Sequence, residues 1–163
     1  MCLAVAVVIP GLLLAGCYHM RMNPEPLQRE AFTVAMTPDR AFDVISDVLS
    51  QDGFYFDRHD DNTDTLVTEY RYFHKDTGIS QPVGGRDYYY ELRVTVRPAG
   101  DGATVALDIP ALEMRASYVY DSDGELKTLS KRYPYEEYPG MFDLVPVDKE
   151  LHRVETLIRR SVR

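Results

Sequence analysis

The chain has 163 residues, 45% of them hydrophobic and 27% charged, which suits one globular domain with a core of its own. Its formal net charge is −8, and an acidic surface of that size argues against nucleic acid as a partner. The two cysteines, Cys2 and Cys17, cannot make a disulfide scaffold, and the four histidines (His19, His59, His74 and His152) show no metal-binding spacing such as H-E-x-x-H.

Leu3 to Ala15 is an uncharged apolar stretch that closes on Leu14-Ala15-Gly16-Cys17 and gives way at once to polar sequence. It is shorter than the roughly 20 residues of a membrane-spanning helix and is broken by Pro10-Gly11. An apolar run of about 7–15 residues ending at small side chains is laid out as a secretory signal peptide. Its ending, Leu14-Ala15-Gly16-Cys17, resembles the lipobox of bacterial lipoprotein precursors. The resemblance implies that residues 1–16 are a signal peptide and that Cys17 becomes the lipid-bearing first residue of the mature chain. It also implies several acyl chains on Cys17, where two already give stable anchoring. Tyr18, not Asp, follows the cysteine. Under the sorting rule of enteric lipoproteins this directs the protein to the outer membrane, facing the periplasm.

The stretch departs from the usual signal in one respect. No Lys or Arg precedes Cys17, which points to a start upstream of Met1 or to a truncated reading of the gene. Cleavage before Cys17 discards Cys2 and lipidates Cys17. The mature domain then holds no free thiol, which excludes thiol catalysis and thiolate metal binding.

Residues 17–30 read as a lipidated tether. His19 to Glu30 is polar and carries Asn23-Pro24-Glu25-Pro26, whose prolines favour extended backbone, so the segment reads as a short spacer. The net charge argues against a domain lying flat on anionic lipid and favours one that stands off on this spacer. Residues 31–163 read as a single domain.

Ala31 to Met36 alternates as a short strand. Thr37-Pro38-Asp39 opens a helix: Thr37 suits the cap, Pro38 the first helical position, and Asp39 the positive end of the dipole. Ala41, Phe42, Ile45, Val48 and Leu49 form its apolar stripe, and Gly53 is its stop. Phe54 to Asp57 and Thr65 to Phe73 read as strands. Tyr88 to Arg97 alternates cleanly, with Tyr88, Tyr90, Leu92, Val94 and Val96 on one side. Pro98 to Gly102 is a turn and Thr104 to Ile109 a returning strand. Glu113 to Tyr120 and Glu125 to Lys131 form a further hairpin around Asp121-Ser122-Asp123-Gly124. A last helix spans roughly Pro146 to Val162, with Val147, Leu151, Val154 and Ile158 facing the core.

The sum is an α+β fold: two layers, with a curved antiparallel sheet packed against an N-terminal helix and a long C-terminal one. That order, with the run from Phe32 through Thr37-Pro38-Asp39-Arg40-Ala41-Phe42 to Gly53-Phe54 and Asp64-Thr65-Leu66-Val67-Thr68, is similar to helix-grip domains. Such domains occur in an accessory lipoprotein of the outer-membrane β-barrel assembly machinery. The resemblance implies a non-enzymatic, partner-binding role and carries over no functional residue.

The acidic group Asp57, Asp60, Asp61, Asn62 and Asp64 invites comparison with a calcium loop. Counting from Asp60, however, the sixth position is Thr65 where Gly is needed and the twelfth is Arg71 where Glu is needed, so a solvated turn is the reading. His59, close to those carboxylates, is the one histidine placed to join a cation. No serine-nucleophile elbow, phosphate loop or dinucleotide fingerprint is present. His74 to Asp87 reads as a long polar loop.

Tyr133, Tyr135, Tyr138, Met141 and Phe142 stand in a segment whose Pro134, Pro139 and Gly140 forbid regular structure. They either plug the end of the sheet or offer a partner surface. Tyr89, with Tyr70 or Tyr72, is a candidate exposed aromatic patch.

The expectation is a membrane-anchored, non-catalytic envelope lipoprotein that binds another envelope protein through its periplasmic domain, with no metal or cofactor. The alternative is a carrier of a small apolar ligand or lipid between helix and sheet. A third reading, a hydrolase, requires two titratable groups with strongly displaced pKa values in one cleft.

Overall fold

The structure is a computed structural model that describes residues 24–60, 64–77, 85–120 and 122–163, with 57–60, 117–120 and 126–130 followed through their backbone alone. The lipobox residues Leu14, Ala15, Gly16 and Cys17 lie outside the described residues, as do Asp61 and Asn62 of the acidic group.

The elements in chain order are β1 (Phe32–Val34), α1 (Pro38–Gln51), β2 (Phe56–Asp60), β3 (Thr65–Thr68), β4 (Arg71–Asp76), β5 (Arg86–Ala99), β6 (Gly102–Tyr120), β7 (Leu126–Pro134), a single 3-10 turn (Pro139–Met141) and α2 (Val145–Ser161). The fold is α+β: a seven-stranded sheet, antiparallel throughout, with both helices on one face. The strand order is β1-β6-β5-β3-β2, with β4 also on β5 and β7 also on β6.

The β5–β6 hairpin is the spine. Its two strands turn through Gly100-Asp101, and Gly100 at φ 57 fills the first loop position, where a two-residue turn needs positive φ. Tyr88, Tyr90, Leu92, Val94 and Val96 all face the helices and are fully buried, as their alternation predicts. On β6, Ala103, Val105, Leu107 and Ile109 face inward first, and then Leu112, Met114 and Ala116 do. The inward set shifts from odd to even because Ile109 and Pro110 together oppose Leu92 in a β-bulge. Pro110 is tolerated in a central strand because the bulge asks no ladder hydrogen bond of it. The sequence reading had two strands here, Thr104 to Ile109 and Glu113 to Tyr120, and the structure joins them into one 19-residue strand.

Other boundaries move too. β2 runs Phe56–Asp60 where Phe54 to Asp57 was expected, and β7 continues to Pro134, so Tyr133 and Pro134 lie at the end of an edge strand although the prolines of that segment argue against regular structure. The expected strand Thr65 to Phe73 is two strands, β3 and β4, each paired with a different half of β5. The polar loop expected from His74 is shorter, because β4 runs on to Asp76 and β5 begins at Arg86. The spacer is also shorter at its C-terminal end. Gln28 bridges Asp108, the Arg29 amide donates to the Leu107 carbonyl (2.9 Å), and the Ile109 amide donates to Leu27 (2.7 Å). Leu27 to Arg29 thus continue the β1 edge of the sheet. Nothing in the composition of a Pro-bearing polar stretch announces such backbone pairing.

Both helices match their sequence signals. Thr37 stands at the start of α1 in extended conformation with Pro38 following, although its hydroxyl makes no capping bond. The helix stops in a Schellman motif: the Gly53 amide donates to Ser50 (3.0 Å), the Phe54 amide donates to Leu49 (3.0 Å), and Phe54 buries beside Leu49. Gly53 has φ 84, which the motif requires and glycine adopts without cost. On α2, Val147, Leu151, Val154 and Ile158 are buried against the sheet and α1.

Polar contacts fasten α2. The Tyr90 hydroxyl, deep in the core, donates to Glu150 (2.8 Å), and Arg153 binds both Glu150 (2.8 Å) and Asp52 (2.9 Å) at the end of α1. Arg71 reaches the same Asp52 (3.1 Å) and lies over the Phe54 ring. Burial pushes the Asp52 and Glu150 carboxyls up, but Arg153 and the other partners outweigh it and hold both below their ordinary values. Burial and the adjacent Glu150 push the Tyr90 hydroxyl up, so it stays protonated as a donor.

Replacing Gly53 by Ala is expected to lower stability by about 1–2 kcal/mol in urea unfolding, since the new side chain meets no clash and the cost is left-handed backbone alone. Because Asp52 and Glu150 have depressed folded pKa values, their contribution is complete above their ordinary values of 3.8 and 4.5 and is lost as pH falls through the lowered folded values. In Arg153→Ala that loss is expected to shrink, seen as a flatter acid limb when the urea midpoint is followed against pH.

Candidate functional site

The segment from Tyr133 to Phe142 is a plug more than a surface. Tyr135 is 3% exposed, its amide donates to the Leu112 carbonyl (2.9 Å), and its hydroxyl accepts from the Glu25 amide (3.0 Å). Phe142 stands edge-on to both Tyr135 (5.3 Å) and Tyr88 (5.6 Å), and the Met141 carbonyl accepts from Arg86 (3.1 Å). Tyr135 is buried in the core below α2, and Met141 and Phe142 pack against that core while staying partly exposed. Tyr133, partly buried against the core, and the exposed Tyr138 form an edge-to-face pair 5.5 Å apart, with the Lys131 ammonium over the Tyr133 ring.

The sheet face opposite the helices carries the denser constellation. The bulge at Ile109–Pro110 turns Glu113 and Arg115 onto this face; without it, the odd-numbered residues would continue inward and both charges would enter the core. Glu113 is only 3% exposed because Arg115 (2.5 Å) and Arg132 (2.8 Å) close over its two oxygens. Arg115 lies 3.9 Å from the centre of the Tyr89 ring, and Tyr89 packs edge-on against Tyr72 (5.7 Å). Tyr70 sits 5.8 Å from both guanidinium groups. Burial, then Glu91 and Glu113, push the Tyr70 hydroxyl up, so it is a neutral donor. Tyr72 and Tyr70 are 50% and 37% exposed, so their rings offer apolar area to a partner.

Beside this cluster, toward the Gly100 turn, the face sinks into a trough of about 810 Å³. Its floor follows from register: Thr65 pairs with Thr95 and Thr95 with Ala106, one row of short side chains across three strands. Arg93, bonded to Asp108, walls one side, and Arg97 the other. Among the described residues Arg97 makes no ion pair, so the trough has a cationic lip on an acidic protein.

Sequence reasoning found Tyr70, Tyr72 and Tyr89 as a candidate patch, and the structure brings the three together. It missed Glu113, Arg115 and Arg132, whose union depends on a register that no local signal encodes. His74 rests edge-on to Tyr88, and the His152 Nδ1 accepts from Arg29 at 3.3 Å. Among the described residues, no group of three His, Cys, Asp or Glu is placed to hold a metal ion. The displaced carboxyls, Asp52, Glu150 and Glu155, are each tied to arginines. Between α2 and the sheet, Leu92, Val94, Val154 and Ile158 are fully buried.

No family model matches the chain, and no curated relative matches it. Among solved structures, a DUF4468 family protein from Bacteroides ovatus is similar over 88% of each chain, at 12% identity and a TM-score of 0.37.

Replacing Glu113 by Ala leaves two arginines without their shared acceptor. Both reach water, so the expected loss is about 1–2 kcal/mol, well short of the 3–5 kcal/mol for a fully buried pair. Urea unfolding of Glu113→Ala beside Glu113→Gln measures it, and Gln is expected to recover part of the loss.

Proposed function

We propose that the protein is a lipid-anchored, non-catalytic component of the cell envelope that binds another envelope protein with the open face of its sheet. The observation that carries this reading is the cluster Tyr70, Tyr72, Tyr89, Arg115 and Arg132. Tyrosine and arginine are the side chains that concentrate at the centres of protein interfaces. Here Glu113 and ring contacts hold them in fixed positions, while two rings stay substantially exposed. Fixed side chains have less rotamer freedom left to lose on binding.

Anchoring rests on Leu14-Ala15-Gly16-Cys17. Among the described residues, no helix is long and apolar enough to cross a membrane. Attachment through acyl chains on Cys17 gives the domain its membrane, with the outer membrane favoured by Tyr18.

A photo-crosslinking side chain at Tyr72 in intact cells tests the binding face, with Lys149 on the exposed side of α2 as the comparison position. One envelope protein is expected to be captured from Tyr72 and not from Lys149, and to be lost in Cys17→Ala. Equal capture from both positions, or capture unchanged in Cys17→Ala, sinks the proposal.

A further inference from the structure

The strap Pro24–Glu30 is docked on the domain by backbone pairing with β6 and by side-chain bonds. Arg29 is its clip: Nε donates to Glu155 (2.9 Å) and a terminal nitrogen to Asp148 (2.8 Å), both on α2. Glu155 is held in turn by Arg159 (2.8 Å), and burial of its carboxyl is outweighed by these two arginines, which keep it ionised. Further along, the Glu25 amide is bound by the buried Tyr135. The clipped strap thereby holds Pro24 and Glu25 beside Tyr135.

We infer that the sheet edge around Pro24, with Tyr133 and Tyr138, is held against the bilayer surface. This rests on the lipid anchor at Cys17. Seven peptide steps separate Cys17 from Pro24, and at about 3.5 Å each they span at most about 25 Å. Had the whole stretch to Ala31 been a free spacer, the reach would be about twice that, and the domain could tumble over its anchor. The edge that the short reach brings down has the side chains for it. Tyr138 is 36% exposed, pairs with Tyr133, and follows Tyr135, the residue that binds the strap, by three positions. Tyrosine rings with a lysine beside them suit the headgroup layer, where the ring is half solvated and the ammonium reaches water. The acidic neighbours Glu25, Glu136 and Glu137 select a zwitterionic surface over an anionic one.

The chain from Cys17 onward carries every element of the fold, and Cys17 is then its only thiol. Coupling that thiol to a maleimide phospholipid in phosphatidylcholine vesicles, with and without brominated acyl chains, tests the orientation. The chain has no tryptophan, so Tyr138→Trp and Tyr55→Trp each carry one reporter. Tyr55 is 73% exposed and precedes β2, at the opposite edge of the sheet. Four strand spacings of about 4.8 Å separate those edges, so bromine is expected to quench Tyr138→Trp about twofold more than Tyr55→Trp. Arg29→Glu, which unclips the strap, is expected to erase that difference. Equal quenching of the two reporters, stronger quenching of Tyr55→Trp, or a difference that survives Arg29→Glu overturns the inference. Mass spectrometry of the Cys17 peptide from cells judges the anchor separately: an unmodified Cys17 ends the lipoprotein reading, while the quenching result stands on its chemically attached lipid.

Discussion

The β-bulge opposite Leu92 is the constraint on which the two faces of the molecule depend. A 19-residue strand with strict alternation would keep one set of side chains inward from end to end. β6 cannot do so, because its first half places Val105 and Leu107 at odd positions and its second half Leu112 and Met114 at even ones. One extra residue reconciles the halves, and Pro110 occupies it without forfeiting a ladder bond. Every other strand but β2 pairs directly with β5 or β6, so the shift is inherited by the whole sheet. It keeps the core under α2 apolar, and it delivers Glu113 and Arg115 to the outer face. The hydrophobic core and the polar-aromatic cluster are consequences of the same inserted residue.

That dependence explains which parts of the fold were legible beforehand. Elements whose signals are local came through: the Thr37-Pro38 start and Gly53 stop of α1, the five inward residues of β5, and the stripe Val147, Leu151, Val154, Ile158. Each is decided within about one turn or one strand length, where periodicity and capping operate. The bulge defeated the same reasoning. A proline at a phase change looks like the gap between two strands, and only the partner strand shows that the pairing continues. Tyr135 and Tyr138 are alike in sequence, yet one is buried and the other is not, because the distinction is made by Leu112 and Glu25, which are distant along the chain. The candidate site was legible in the same proportion: the tyrosines by alternation, the arginines that fix them not at all.

The charge of −8 takes a different meaning once its distribution is visible. Much of the acid is internal to the architecture. Asp52 and Glu150 tie α2 to α1, Glu155 holds the strap, and Glu113 gathers two arginines beneath Tyr70. In each pair the carboxylate is largely covered while its arginine still reaches water, so each adds modestly to stability and also fixes geometry. They set the angle of α2, the path of the N-terminal strap and the spacing of the open-face rings. Local basic ground, such as Arg97 at the lip of the trough, then stands out against an acidic whole and favours approach of acidic segments on that face.

Strap and open face bear on one another through the topology. The strap extends the β1 edge, while the Tyr–Arg cluster lies on the flat of the sheet, and edge and face of one sheet are perpendicular. A domain held by that edge presents the flat sideways, parallel to the membrane normal, where a neighbour anchored in the same bilayer meets it without reorienting. In the lipid-anchored form proposed above, confinement to a layer within about 25 Å of the lipid would also raise the encounter frequency of such neighbours, so that a modest interface would suffice for occupancy. The physical sense of a short docked tether is therefore the opposite of a long flexible one. It gives up reach, and it gains a fixed bearing for the one face whose side chains are held ready.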